Sequence, residues 1–191
     1  MKNKLASLGL SIIATLFIVG CGTSSQVPPD LDKILDITSN TLLEFQDNEA
    51  ELKEEEAMKA FVAQLEQNLN SSNPVVHQGT IGIQLKEDGS LLGYDNPNNN
   101  EIKDSGESEL FTIEIDSEKN RLIATDISGT SRDHHFSGTG LLAGLLIGHL
   151  LSRQRAAGVN PKSLANKTVT PKSSYQNARS RAGSGSHSRG K

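Results

Sequence analysis

The stretch Val75-Val76-His77-Gln78-Gly79-Thr80-Ile81-Gly82-Ile83-Gln84-Leu85-Lys86-Glu87-Asp88-Gly89-Ser90-Leu91-Leu92-Gly93-Tyr94 decides the fold. Before Pro74 the apolar residues recur every three or four positions, and after it the period is two. Ile81, Ile83 and Leu85 alternate with Thr80, Gly82 and Gln84, which predicts a strand over Val75 to Leu85. Glu87-Asp88-Gly89-Ser90 then reverses the chain, because glycine adopts positive φ without a steric cost. Leu91 to Tyr94 returns as the second strand of a hairpin.

Upstream, Leu31, Ile34, Leu35, Thr38, Leu42 and Phe45 share one helical face, with Asp30 placed to cap it. A second helix carries Met58, Phe61, Val62, Leu65 and Leu69 on one stripe and ends before Asn73-Pro74. Asn48 and Glu51 have the capping-box spacing for its start. The stripe reads as core, and Glu54, Glu55, Glu56 and Glu66 as a solvated face. Downstream of a polar loop from Asp95 to Ser108, Leu110 to Ile115 and Arg121 to Ile127 form a second hairpin across Ser117-Glu118-Lys119-Asn120. The expected fold class is therefore α+β, with two N-terminal helices and then a small antiparallel meander of four strands, all within residues 31–128.

The chain has 191 residues, of which 35% are hydrophobic and 4% aromatic, so it builds one small core and leaves little material for a deep pocket. Its formal net charge of −4 conceals a segregation. All 23 acidic residues lie at or before Asp133, while nine of the 19 basic residues follow Ser152. Residues 21–151 thus carry −15, and residues 152–191 carry +9 with no acid.

Between these parts lies Phe136 to Leu151, expected to be a Gly-rich apolar helix of 16 residues. Gly140, Gly144 and Gly148 recur every fourth residue and would line one helical face. Glycine within an exposed helix costs about 0.5–1 kcal/mol relative to alanine, so close backbone approach to another helix is the expected compensation. At about 1.5 Å per residue the helix would be about 24 Å long, short of a comfortable span. Three placements are open: inserted in a membrane and self-packed, packed on the strands of its own domain, or docked on a partner.

Residues 152–191 are expected to form a disordered basic tail, poor in apolar side chains. Its cations Arg153, Arg155, Lys162, Lys167, Lys172, Arg179, Arg181, Arg189 and Lys191 are candidate contacts for anionic polymers or lipid head groups, and self-association with the acidic domain is the competing reading.

The first twenty residues are an address. Met1-Lys2-Asn3-Lys4 is a basic start, Leu5 to Val19 an uncharged apolar run, and Ile18-Val19-Gly20-Cys21 closes it. The apolar run is too short to span a bilayer comfortably and reads as an export signal. Ile18 to Cys21 resembles the lipobox of bacterial lipoproteins. That resemblance implies a signal peptide over residues 1–20, a diacylglyceryl group on the Cys21 sulfur, cleavage before Cys21 and acylation of the new N-terminus. It also implies a cell-envelope location, and in a two-membrane envelope Gly22, not being aspartate, points to the outer membrane. An uncleaved signal anchor is the alternative. Residues 21–30 then read as a tether, and Cys21, the only cysteine, leaves no internal disulfide to form. An envelope address argues against nucleic acid as the ligand of the tail.

No catalytic constellation stands out. No Gly-x-Ser-x-Gly elbow is present, and the Asp95, Asn98 to Asn100, Glu101 and Asp104 loop lacks the order of a calcium loop. His134 and His135 could offer imidazoles to a metal, but neighbours on a strand point to opposite faces and no third ligand has a recognisable offset. The expectation is a non-enzymatic envelope protein with no cofactor beyond its covalent lipid. The alternatives are a metal-dependent or enzymatic accessory using His134 and His135, and an inner-membrane subunit whose basic tail reaches the cytoplasm.

Overall fold

A computed structural model describes residues 27–48, 53–136 and 144–171. The order of elements is α1 (Leu31–Asn48), α2 (Glu54–Asn70), β1 (Ile81–Leu85), β2 (Leu91–Asp95), β3 (Glu109–Asp116), β4 (Arg121–Asp126), β5 (Ser131–His135), α3 (Leu145–Ala156) and α4 (Pro161–Ala165). The class is α+β as the sequence implies. The five strands form one antiparallel meander in the order β1-β2-β3-β4-β5.

Asp30 caps α1 as expected, its carboxylate accepting the Lys33 N–H at 3.3 Å. The capping box at Asn48 and Glu51 does not start α2. Asn48 is still the last residue of α1, and α2 begins after Lys53 with no side-chain cap. Glu54, Glu55 and Glu56 fill its first turn instead, where carboxylates complement the positive end of the helix dipole.

One sheet face carries Ile81, Ile83, Phe111, Ile113, Ile115, Leu122 and Ala124 into a core completed by α1, α2 and α3. The Ile81–Leu85 alternation holds, but β1 is shorter than the expected strand, because the chain from Val75 to Thr80 runs as loop. Two glycines make room for aromatic rings lying across the sheet. A Cβ on Gly82 would sit 2.3 Å from the ring of its cross-strand partner Tyr94, and one on Gly93 2.3 Å from that of Phe111. At Gly89, φ is +74° and a Cβ would lie 2.4 Å from the Leu150 carbonyl oxygen, so the β1–β2 turn tucks against α3.

The fifth strand was not expected. Its sequence, Ser131-Arg132-Asp133-His134-His135, alternates in charge and not in hydrophobicity. Arg132 and His134 turn toward α1, pairing with Asp32 at 2.8 Å and Asp36 at 3.0 Å. Asp133 turns to the other face and meets Arg121 at 2.7 Å. Charged contacts with the neighbouring elements hold β5, where buried apolar side chains hold β1 to β4.

The Gly-rich helix differs from the expectation. Phe136 is outside any helix, and the helical segment runs from Leu145 to Ala156. Gly144 is its N-cap, with φ −69° and ψ 146°, and its carbonyl accepts the Gly148 N–H at 3.0 Å. Gly144 therefore opens the helix from extended backbone and is not one of its interior residues, and Gly140 lies outside the described residues. Leu146, Ile147 and Leu150 are buried in the domain core, where α3 packs against α1 and α2. Among the described residues no helix is long and apolar enough to cross a membrane.

The expectation of disorder from residue 152 onward does not hold for the described part: residues 152–156 finish α3, Pro161–Ala165 form α4 beside Arg121 on the outer face of the sheet, and Thr170 runs beside β5. Asn160 caps α4 by accepting the Lys162 N–H, with Pro161 at the first helical position, where its missing N–H costs nothing. Leu164 and Ala165 are buried there. Residues 172–191 lie outside the described residues.

Candidate functional site

The outer face of the sheet is the polar one. Asp116 and Arg121 face each other at the end of the β3–β4 hairpin, and Asp133 follows on β5. Arg121 donates from Nε to Asp116 at 2.8 Å and from Nη1 to Asp133 at 2.7 Å. Its Nη2 donates to the carbonyls of Leu164, Ala165 and Lys167, at 3.1, 3.3 and 3.2 Å. Burial alone would lower the pKa of this guanidinium, but the hydrogen bonds it donates to the two carboxylates hold it above its ordinary value. With its donors committed, the group is a clasp binding the C-terminal segment to the sheet, and it offers no proton to a substrate.

A second guanidinium ties the two ends of the described chain together. Arg132 Nε donates to Asp32 in the first turn of α1, and Nη1 donates to the Thr170 carbonyl at 2.9 Å. Thr170 is further held by its N–H to the Ser131 carbonyl at 2.7 Å, and its hydroxyl accepts the Ser131 N–H at 3.0 Å. On the other side, Asp30 N–H donates to the Val76 carbonyl at 3.1 Å, and Pro29 is buried.

Beside the Arg121 clasp is an open hollow of about 330 Å³, with Leu92, Thr112 and Thr125 on its floor and Lys86, Glu109 and Lys167 around it. Three of its four carboxylates, Asp88, Glu114 and Asp126, are engaged. Glu114 pairs with Lys167, and Asp126 accepts from the Ser128 and Thr130 N–H groups at 2.9 Å. Asp88, which burial alone would push up, is held below its ordinary value by the Ser90 hydroxyl and N–H.

His134 and His135 occupy opposite faces of β5, and His135 lies 3.2 Å from Asp133. Among the described residues no group of three histidine, cysteine, aspartate or glutamate side chains is placed to hold a metal ion. The asparagine-rich loop closes on itself, with Asn98 and Asn100 amides donating to Asp104 at 2.8 and 3.1 Å. An amide hydrogen aimed at the carboxylate opposes a cation there. His77 is buried, and its Nε2 is 3.5 Å from Asp95, a charge approach without hydrogen-bond geometry.

The cations singled out from sequence divide into three sets. Lys167 is consumed by Glu114, and Arg153 is half-buried on α3 with its Nε enclosed. Arg155 and Lys162 are exposed. Lys172, Arg179, Arg181, Arg189 and Lys191 lie outside the described residues, as does Cys21. Gly148 is exposed, with no atom of another described element within 4 Å of where its Cβ would be.

The edge of β1 is closed by Asn70 and by Glu66, which was expected on the solvated face of α2 and is instead half-buried against the strand. The Asn70 amide accepts the Ile81 N–H and donates to the Ile81 carbonyl, both at 2.8 Å, and Glu66 accepts the Ile83 N–H at 2.6 Å. An exposed strand edge invites pairing with another chain, and these contacts blunt it. Burial raises the pKa of Glu66, the Ile83 N–H opposes that shift, and Glu101 adds to it. No family model matches the chain, and no curated protein or solved structure shows significant similarity to it.

Proposed function

We propose that the chain is a non-catalytic cell-envelope lipoprotein, anchored through diacylglycerol and an N-acyl group on Cys21, that acts as a structural or accessory subunit. The observation that carries this reading is the order of zones ahead of Cys21: a basic start, an apolar run and Ile18-Val19-Gly20-Cys21, with helix α1 beginning ten residues later at Leu31. Two acyl chains suffice for stable attachment, where one is marginal. The domain then needs no membrane-embedded element of its own.

The engagement of Arg121, Asp133, Glu114 and Asp126 in internal contacts supports a binding or scaffolding role over catalysis. The cationic residues beyond Pro171 are the part of the chain that would meet an anionic envelope component, polymer or head group. Labelled palmitate fed to an expressing bacterial host tests the anchor. Incorporation into the wild-type chain and none into Cys21→Ala is the expected result, and equal labelling of both would remove the reading.

A further inference from the structure

A hollow of about 560 Å³ opens between the C-terminal half of α2 and the 96–101 loop, over the start of β1. Its size lies within the about 300–1,000 Å³ of small-molecule sites. Glu66, Gln67 and Asn70 line it from α2, Thr80 from the approach to β1, and Asn99 and Glu101 from the loop. Asn96, only 3% exposed, braces that loop. Its amide donates to the Asn100 carbonyl at 2.8 Å and accepts the Asn100 N–H at 3.2 Å. The walls are thus held in place before a ligand arrives, which lowers the ordering cost of binding.

The chemistry of the lining narrows the ligand. The strand edge beneath the hollow is occupied, since Asn70 takes both the N–H and the carbonyl of Ile81 and Glu66 takes the Ile83 N–H. An extended peptide therefore finds no free ladder to join there. Among the described residues no lysine or arginine lines the hollow, and an anion would meet Glu66 and Glu101. Lys59 lies 3.6 Å from Glu101, but both side chains are largely exposed, and water weakens such a pair. The Gln67 and Asn99 amides and the Thr80 hydroxyl, by contrast, make no side-chain hydrogen bond to another described residue. Each can donate and accept, which is the hydrogen-bonding character of a sugar hydroxyl. Glu66 keeps acceptor capacity beyond its bond to Ile83.

We propose that this hollow binds an uncharged oligosaccharide, with Gln67, Thr80 and Asn99 pairing with its hydroxyls and Glu66 and Glu101 accepting from them. The site belongs to the folded domain, goes beyond the anchor reading and does not depend on it.

The test is calorimetric titration of the full chain with chitotetraose and with maltotetraose, in a detergent whose head group is not a sugar. The mass of the Cys21 adduct is read on the same sample, so the anchor stands or falls separately. Saturable binding of at least one sugar, unchanged at high salt, is expected. Gln67→Ala combined with Asn99→Gly removes two exposed amides, and glycine accepts the φ of +52° at position 99. This double variant should bind about tenfold more weakly, through the loss of two neutral hydrogen bonds, and Thr80→Val alone about fivefold more weakly. Lys162→Gln, on α4, should bind as wild type does. Binding of neither sugar at several millimolar, binding that salt removes, or binding that the double variant and Thr80→Val leave intact would each overturn the proposal.

Discussion

Arg121 and Asp116 are joined at 2.8 Å with side chains only 5% and 0% exposed, so each is the other's substitute for water. Removing one partner of such a buried pair leaves an uncompensated charge, and the cost is about 3–5 kcal/mol. Arg121→Met is expected to destabilise the domain by that amount in denaturant unfolding. It also strips a donor from the carbonyls of Leu164, Ala165 and Lys167, so amide exchange across residues 161–170 should quicken more than in β2 or β3. An unfolding midpoint within error of wild type would show that the clasp contributes nothing.

The glycines beneath the rings make a separate prediction. Gly93→Ala places a methyl 2.3 Å from the Phe111 ring, which is itself only 1% exposed and has nowhere to move. Overpacking of this kind costs about 1–3 kcal/mol. Gly106→Ala, where nothing lies within 4 Å, serves as the control and should stay near wild type. Equal melting temperatures for the two variants would remove the ring-over-glycine account.

Strands β1 to β4 were legible because apolar runs between turn signals, alternating in β1 and β3 and continuous in β2 and β4, are a local property of the chain. Strand β5 was not, because Arg132, Asp133 and His134 are stabilised by Asp32, Arg121 and Asp36, partners distant in sequence. The same limit hid the clasp, since Arg121 and Leu164 are 43 positions apart. The start of α3 was misplaced for another reason: glycine at every fourth position satisfies a helical pattern and an N-cap equally well, and at Gly144 the cap prevails. Averaging composition over residues 152–191 likewise concealed Asn160-Pro161, a helix start within an apparently unstructured run. The meeting of Asp32 and Thr170 at Arg132, 138 positions apart in the chain, likewise required the fold.

Glu66 predicts a pH dependence. Its folded pKa lies above the ordinary value of 4.5, chiefly through burial, so the native state binds the proton more tightly than the unfolded chain. The stability this contributes is fully present below pH 4.5 and is lost as pH rises through the folded pKa. Glu66→Gln keeps an oxygen for the Ile83 N–H and cannot ionise. The variant should therefore lack this part of the decline above pH 4.5, and at neutral pH it should equal or exceed wild type in stability. Parallel stability–pH curves for the two proteins would count against a burial-raised Glu66.

Gly148 separates packing within the domain from packing against a second helix. It lies in the first turns of α3, exposed, with open space among the described residues where a methyl would go. Alanine is the better helix former there by about 0.5–1 kcal/mol. If α3 serves only its own domain through Leu146, Ile147 and Leu150, Gly148→Ala raises stability by about that amount and leaves crosslinking in the native membrane unchanged. A zipper that needs bare backbone at Gly148 gives the opposite pattern, since even one methyl separates the helices and a crosslinked species present in wild type is lost. The exposed, uncontacted position of Gly148 leads us to expect the first pattern, and loss of a crosslinked species in the alanine variant would restore the glycine face as an assembly surface.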